Sequence, residues 1–215
     1  MNKIVFLLIV FCLISCDVEH KKKLRKSLPF FNSASFTPEW ISENDAKYKD
    51  IHTISNFSFV NQYGNKITNE TYKDKIYIAD FFFTSCPGIC PRLATNMRKL
   101  QEVYKYDTEV LLLSHSVTPE QDSIPVLKAY AAENKVNVKK WNLVTGERKA
   151  IYDLARKSYF ADEDFVKTQD DNAFIHTENF VLIDKKGRIR GVYNGTLAIE
   201  VDRIIRHIKL LKKEG

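Results

Sequence analysis

The sequence predicts an α/β fold, with a central mixed sheet flanked by helices and an N-terminal extension hairpin. Three observations predict it. Lys75 to Phe83 (KIYIADFFF) and Glu109 to Val117 (EVLLLSHSV) are apolar runs rich in aromatic and β-branched residues, as strands covered on both faces are. Amphipathic stretches alternate with these runs; the first puts Leu93, Met97, Leu100 and Tyr104 at spacings of four, three and four. The chain then closes on a hairpin and a last amphipathic stretch. Strands that alternate with helices bury their apolar faces as layers on a largely parallel sheet.

Taken in order, Phe57 to Thr68 alternates apolar and polar residues around Tyr63-Gly64-Asn65-Lys66, a hairpin signature. Lys75 to Phe83 is the central strand. Pro91 to Tyr104 is a helix, with Pro91 in the first turn, where a missing N–H is harmless. Glu109 to Val117 is the second strand, and Pro125 to Lys135 a helix carrying Val126, Leu127, Tyr130 and Ala131. A strand at about Lys140 to Val144 and a helix from Glu147 to Tyr159 follow, then a polar loop from Ala161 to Ala173. Asn179 to Ile183 and Arg188 to Tyr193 form a hairpin across Asp184-Lys185-Lys186-Gly187. Ala198 to Leu211 ends the order with Ile199, Ile204, Ile208 and Leu211 on one helical face. This succession resembles a thioredoxin-like fold with an N-terminal extension and an insertion.

The 215 residues carry 33 Lys+Arg against 27 Asp+Glu, a net charge of +6. Seven Gly, six Pro and no internal repeat exclude collagen-like and wholly disordered chains. The basic residues form no clustered face with interleaved aromatics, so no nucleic-acid partner is expected. Met1 to Cys16 reads as a secretory leader: one Lys, an apolar run from Ile4 to Ile14, then small residues. That run is too short to span a bilayer, which takes about 20 residues. Leu13-Ile14-Ser15-Cys16 resembles the bacterial lipobox, which implies cleavage before Cys16 and lipid on it. The expected organisation is a signal over 1–15, a lipid-anchored basic tether over 16–50 and a domain over 51–215. The tether holds His20-Lys21-Lys22-Lys23-Leu24-Arg25-Lys26, a run suited to an anionic leaflet. The expected location is the bacterial cell envelope, with the domain outside the cytoplasm and a membrane as partner through the lipid.

Cys12 falls in the leader and Cys16 takes lipid, which leaves Cys86 and Cys90 as the thiols of the domain. A disulfide staple is one reading of such a pair in an exported protein. Its loop is so short that it would stabilise the fold little, so redox or metal chemistry is the stronger reading. The junction Phe83-Thr84-Ser85-Cys86-Pro87-Gly88-Ile89-Cys90-Pro91 sets both sulfurs near a helix N-terminus, where partial positive charge favours thiolate. Two thiolates suit Cu(I), and one imidazole would complete a three-coordinate site. His20 lies in the tether, His52 at the domain edge and His207 on the basic final helix. His115, inside an apolar strand, reads as a core or edge histidine with its hydrogen bonds met. His176 stands between the polar loop and a strand, where its position leaves a ligand role and an incidental one equally open.

Cys86-Pro87-Gly88-Ile89-Cys90-Pro91, Ser116-Val117-Thr118-Pro119-Glu120-Gln121-Asp122, Val144-Thr145-Gly146, and His176 ahead of Phe180-Val181-Leu182-Ile183-Asp184 together resemble the SCO/SenC family of copper proteins, over about Phe57 to the C-terminus. The resemblance implies a thioredoxin-like domain that binds copper through Cys86, Cys90 and His176, as Cu(I), with Cu(II) left open. It implies a metallochaperone rather than an enzyme, whose partners are the copper-site subunit of cytochrome c oxidase, or another cuproprotein, and a thiol reductant. Gly88, Ser85 and Thr118 depart from the acidic residue, the His and the Asp that the family often has at those places. A rival reading rests on Asp80, six residues before Cys86, where a buried carboxyl could shuttle protons for a thiol-disulfide oxidoreductase with Cys86 attacking and Cys90 resolving. An Asp at a strand edge with a hydrogen-bond partner is the plainer account of that residue.

Overall fold

Alternation along two parallel strands builds the interior. In β5 (Ile76–Phe82), Ile76, Ile78 and Phe82 face one apolar cluster while Tyr77, Ala79 and Phe81 face another. In β6 (Val110–Ser116), Leu112 and Leu113 divide the same way. Both faces must therefore be covered, and the computed structural model, which describes residues 27–162 and 174–214, shows how.

The main sheet has seven strands in the order β4-β3-β7-β6-β5-β8-β9. Beside β5 and β6 it comprises β3 (Ser58–Asn61), β4 (Lys66–Thr68), β7 (Trp141–Thr145), β8 (Asn179–Ile183) and β9 (Ile189–Asn194). β5, β6 and β7 are parallel, while β3 joins β7 and β8 joins β5 in antiparallel fashion. The sheet is thus mixed. Helices α1 (Cys90–Val103), α2 (Ile124–Glu133) and α4 (Ala198–Glu214) cover one face with Leu93, Met97, Leu100, Leu127, Ile204 and Ile208. α3 (Arg148–Lys157) covers the other with Ile151, Leu154 and Ala155, and Glu147 caps its start by accepting from the N–H groups of Lys149 and Ala150. Gly64 and Gly187 take positive φ, 77° and 75°, in the turns of the two hairpins.

Expected elements are all present, with ends displaced by at most three residues. One face assignment fails: Ile199 is 70 % exposed, and Val201 fills the core in its place. The larger correction concerns the tether. The signal, Cys16 and the basic run lie outside the described residues, but residues 27–50 are folded onto the domain. They contain β1 (Phe30–Phe31), β2 (Pro38–Glu39) and a 3₁₀ turn, Ala46–Asp50. Leu28 and Phe30 are buried, and Arg190 donates to the carbonyls of Leu28 (2.6 Å) and Pro29 (3.1 Å). Weak periodicity hid this because short strands offer too few residues to show a pattern. No helix among the described residues is long and apolar enough to cross a membrane.

Candidate functional site

Parallel pairing of β5 with β6 aligns their C-terminal ends, so the segments that follow them, 83–89 and 117–123, lie side by side at one edge of the sheet. Val117 N–H donates to the Phe82 carbonyl at 2.9 Å and fixes that edge. Beyond it the chain turns, Cys86 N–H donating to the Phe83 carbonyl at 3.3 Å, and enters α1 at Cys90, with Pro91 in the first turn. Cys86 is half-buried and Cys90 buried; both are free thiols.

Their protonation is divided. Partial burial pushes the Cys86 thiol up, but the Cys90 side chain and the backbone N–H groups of Cys90, Gly88 and Ile89 outweigh it and hold its pKa below the usual value. Burial pushes Cys90 up to about 12; the Phe83 backbone opposes this, and the negative charge of Cys86 and Asp80 adds to it. The two shifts run in opposite directions, so Cys90 holds its proton more tightly and Cys86 gives its proton up the more readily, which makes Cys86 the better nucleophile of the pair.

Asp80 lies on the interior, on the α1 side of β5, rather than at an edge; it is 2 % exposed. It accepts from the Ser114 hydroxyl, which in turn accepts from Trp141 Nε1 at 2.8 Å. Burial raises its pKa to about 7, against the Ser114 bond and its own backbone.

The histidines separate. His52 meets the Ser158 carbonyl at 2.7 Å and His207 Nδ1 meets the Tyr193 hydroxyl at 2.7 Å, so both serve the fold. His115 is buried as expected, yet neither ring nitrogen has a hydrogen-bond partner among the described residues, which corrects the expectation of a satisfied histidine. His176 is exposed between buried Ile175 and Thr177, on a segment that starts beside the cysteine loop, where the Phe174 ring meets Phe83 edge-on at 5.2 Å. Among the described residues no three His, Cys, Asp or Glu side chains are grouped closely enough to hold a metal ion. The fold therefore brings Cys86 and Cys90 together and leaves His176 outside that pair. Most of the polar loop, residues 163–173, lies outside the described residues.

Sequence reasoning missed Tyr130. Its ring lies 5.2 Å from that of Phe82, and its phenol pKa is raised by burial first and then by the negative charge of Asp80, Cys90, Cys86 and Asp122. A tyrosine on an apolar helix face gives no signal of that kind.

The profile of the SCO1/SenC family matches residues 45–212. The chain belongs to the SCO1/SenC family. A relative described as a SCO1 protein homolog, from Bacillus subtilis (strain 168), is 32 % identical over 160 residues, 74 % of this chain and 82 % of the relative. A SCO1/SenC family lipoprotein from Bacillus anthracis superposes with a TM-score of 0.65 at 30 % identity, over 75 % of this chain and 95 % of that one. The structure of BsSco, described as a member of the Sco family of cytochrome c oxidase assembly proteins with a disulfide switch, gives 0.64 at 30 % identity, over 76 % and 95 %. The SCO1/SenC assignment thus covers the whole sheet and the edge that carries the cysteines.

Proposed function

We propose that this SCO1/SenC protein is a membrane-anchored copper metallochaperone for the binuclear copper site of cytochrome c oxidase, held by lipid on Cys16 at the cell envelope. Copper is its cargo, bound by the sulfurs of Cys86 and Cys90 and the imidazole of His176. The observation that carries this reading is the divided pair at the start of α1. The Cys86 thiol is held below its usual pKa, and both sulfurs are soft donors of the kind Cu(I) prefers. His176 sits on a segment that begins against the cysteine loop, so closure of that segment would supply the third donor. A carrier whose third ligand arrives last can both load and release. The described assembly role of BsSco supports the same client.

An anaerobic Cu(I) titration of reduced residues 27–215 against a competing chelator, beside His176→Ala, tests the reading. We expect tight one-to-one binding, with affinity at least tenfold lower in the variant, the scale on which ligation losses fall. Binding indifferent to His176 would refute the ligand set.

Asp80 favours a second reading, a thiol-disulfide oxidoreductase. A carboxyl with a pKa near 7 on the α1-facing side of β5 can take the Cys90 proton as that sulfur attacks Cys86 in a mixed disulfide, breaking its bond to the client sulfur, which leaves as a thiolate. If Cys86→Ser retained activity toward a protein disulfide, that assignment would fail.

A further inference from the structure

The carboxyl group of Asp122 lies at the same sheet edge, is 1 % exposed, and has no part in the ligand set or the proton path above. Its oxygens collect four donors from three segments. Oδ1 accepts from the Thr84 hydroxyl at 2.6 Å and Oδ2 from the Ser116 hydroxyl at 2.6 Å and the Thr118 hydroxyl at 3.0 Å. The Thr84 N–H is shared between both, at 3.4 and 3.3 Å. Asp122 is itself fixed, because its N–H and that of Gln121 donate to the Thr118 carbonyl, both at 2.9 Å. Ser116 ends β6, Thr118 belongs to the turn beyond it, and Thr84 stands two residues before Cys86.

We propose that Asp122 is a positioning residue for the cysteine loop, acting through Thr84. The inference rests on the reading of Cys86 and Cys90 as the working pair. A loop that must present Cys86 beside Cys90 at the start of α1 needs a fixed point of entry. Cys86 N–H to the Phe83 carbonyl is a bond within the loop and cannot supply one. Thr84 can, since its hydroxyl and its N–H both end on a carboxyl anchored in the neighbouring turn. The choice of residue also fits: a carboxyl has lone pairs for four donors at once, and a buried one is costly unless they are filled.

Removing a negative charge near Cys86 and loosening its loop act in opposite directions on the thiolate, which makes the proposal testable. The detergent-solubilised, reduced full chain is compared with Asp122→Asn, Thr84→Val and Thr84→Ser, by the rate of Cys86 alkylation with iodoacetamide at pH 7 and by anaerobic Cu(I) competition. Loss of aligned N–H groups slows alkylation roughly two- to fivefold in Asp122→Asn and Thr84→Val. Cu(I) affinity falls about tenfold in both, and Thr84→Ser behaves as the parent in both assays. Faster alkylation in Asp122→Asn would assign the residue a purely electrostatic effect and overturn the proposal. Unchanged alkylation and affinity with only a lower melting temperature would overturn it too. Should Asp122→Asn not fold, the contrast between Thr84→Val and Thr84→Ser decides alone. A parent chain that bound no Cu(I) would sink the copper reading, while the alkylation contrast would still judge the positioning role.

Discussion

His115 and Asp80 show how single buried groups set the pH response of the fold. His115 lies among aromatic rings, 4.9 Å from Phe81, 5.4 Å from Tyr159, 5.9 Å from Phe59 and 6.0 Å from Phe57, with both nitrogens unpartnered among the described residues. Burial lowers its pKa from 6.5 to about 3 despite the Asp80 backbone, so between those values the unfolded chain binds a proton that the folded one refuses. Stability therefore falls as pH drops from 6.5 towards 3. Asp80 acts with opposite sign: its pKa is raised to about 7, so the folded state holds a proton the unfolded chain has lost above about 4. Its contribution weakens stability as pH rises from 4 to 7. Two variants separate these slopes in urea unfolding of the reduced protein. His115→Phe is expected to gain about 1 kcal/mol at pH 7, since two unsatisfied polar atoms leave a cage of the right shape; an unchanged or lower midpoint would refute this. Asp80→Asn keeps an acceptor for Ser114, so it should match the parent at pH 4 and exceed it at pH 8. Equal midpoints at pH 8 would mean that the carboxyl is ionised at no cost in the folded state.

Among elements, the N-terminal strand decides where the domain starts. Phe30 of β1 lies under the guanidinium groups of Arg190, at 4.2 Å, and Arg188, at 4.8 Å. Arg190 also reaches Asp184 at 3.2 Å and Glu214, the last residue of α4, at 2.8 Å. The strand thus ties β9 to the end of the final helix. A fragment beginning at Ile51 would expose that helix edge and leave the buried Arg190 without two backbone acceptors. Loss of Leu28 and Phe30, each about 5 % exposed, should cost about 3–6 kcal/mol relative to a fragment beginning at Ser27. Chemical denaturation of the two fragments measures this, and coincident curves would show that residues 27–50 add nothing to the fold.

At the scale of the whole molecule, what was legible in the sequence was whatever is local in the chain. Periodicity gave the strands and helices, and the cysteine pair could be found because its members are four residues apart at a strand-to-helix junction. Contacts between distant segments left no such trace. Thr84 meets Asp122 across 38 residues and Arg190 meets Leu28 across 162, and neither partner carries a pattern that names the other. The same holds for the segment that carries His176, whose Phe174 meets Phe83 from a distant part of the chain. The divided pair nevertheless gives the copper reading a property of the entire domain. Cys90 keeps its proton at neutral pH, with its pKa pushed up to about 12, so a Cys90 that ligates Cu(I) as proposed must release that proton. Affinity should climb by at least about tenfold per pH unit from pH 6 to pH 8, more steeply wherever Cys86 must also ionise. Bound Cu(I) at about 100 times its dissociation constant would then add about 2.7 kcal/mol of stability, and a disulfide between Cys86 and Cys90 would abolish the gain. Competition titrations at three pH values, paired with thermal melts of reduced and oxidised protein, measure both effects. A flat pH profile would mean that Cys90 is no ligand, because a bound thiolate cannot keep its proton.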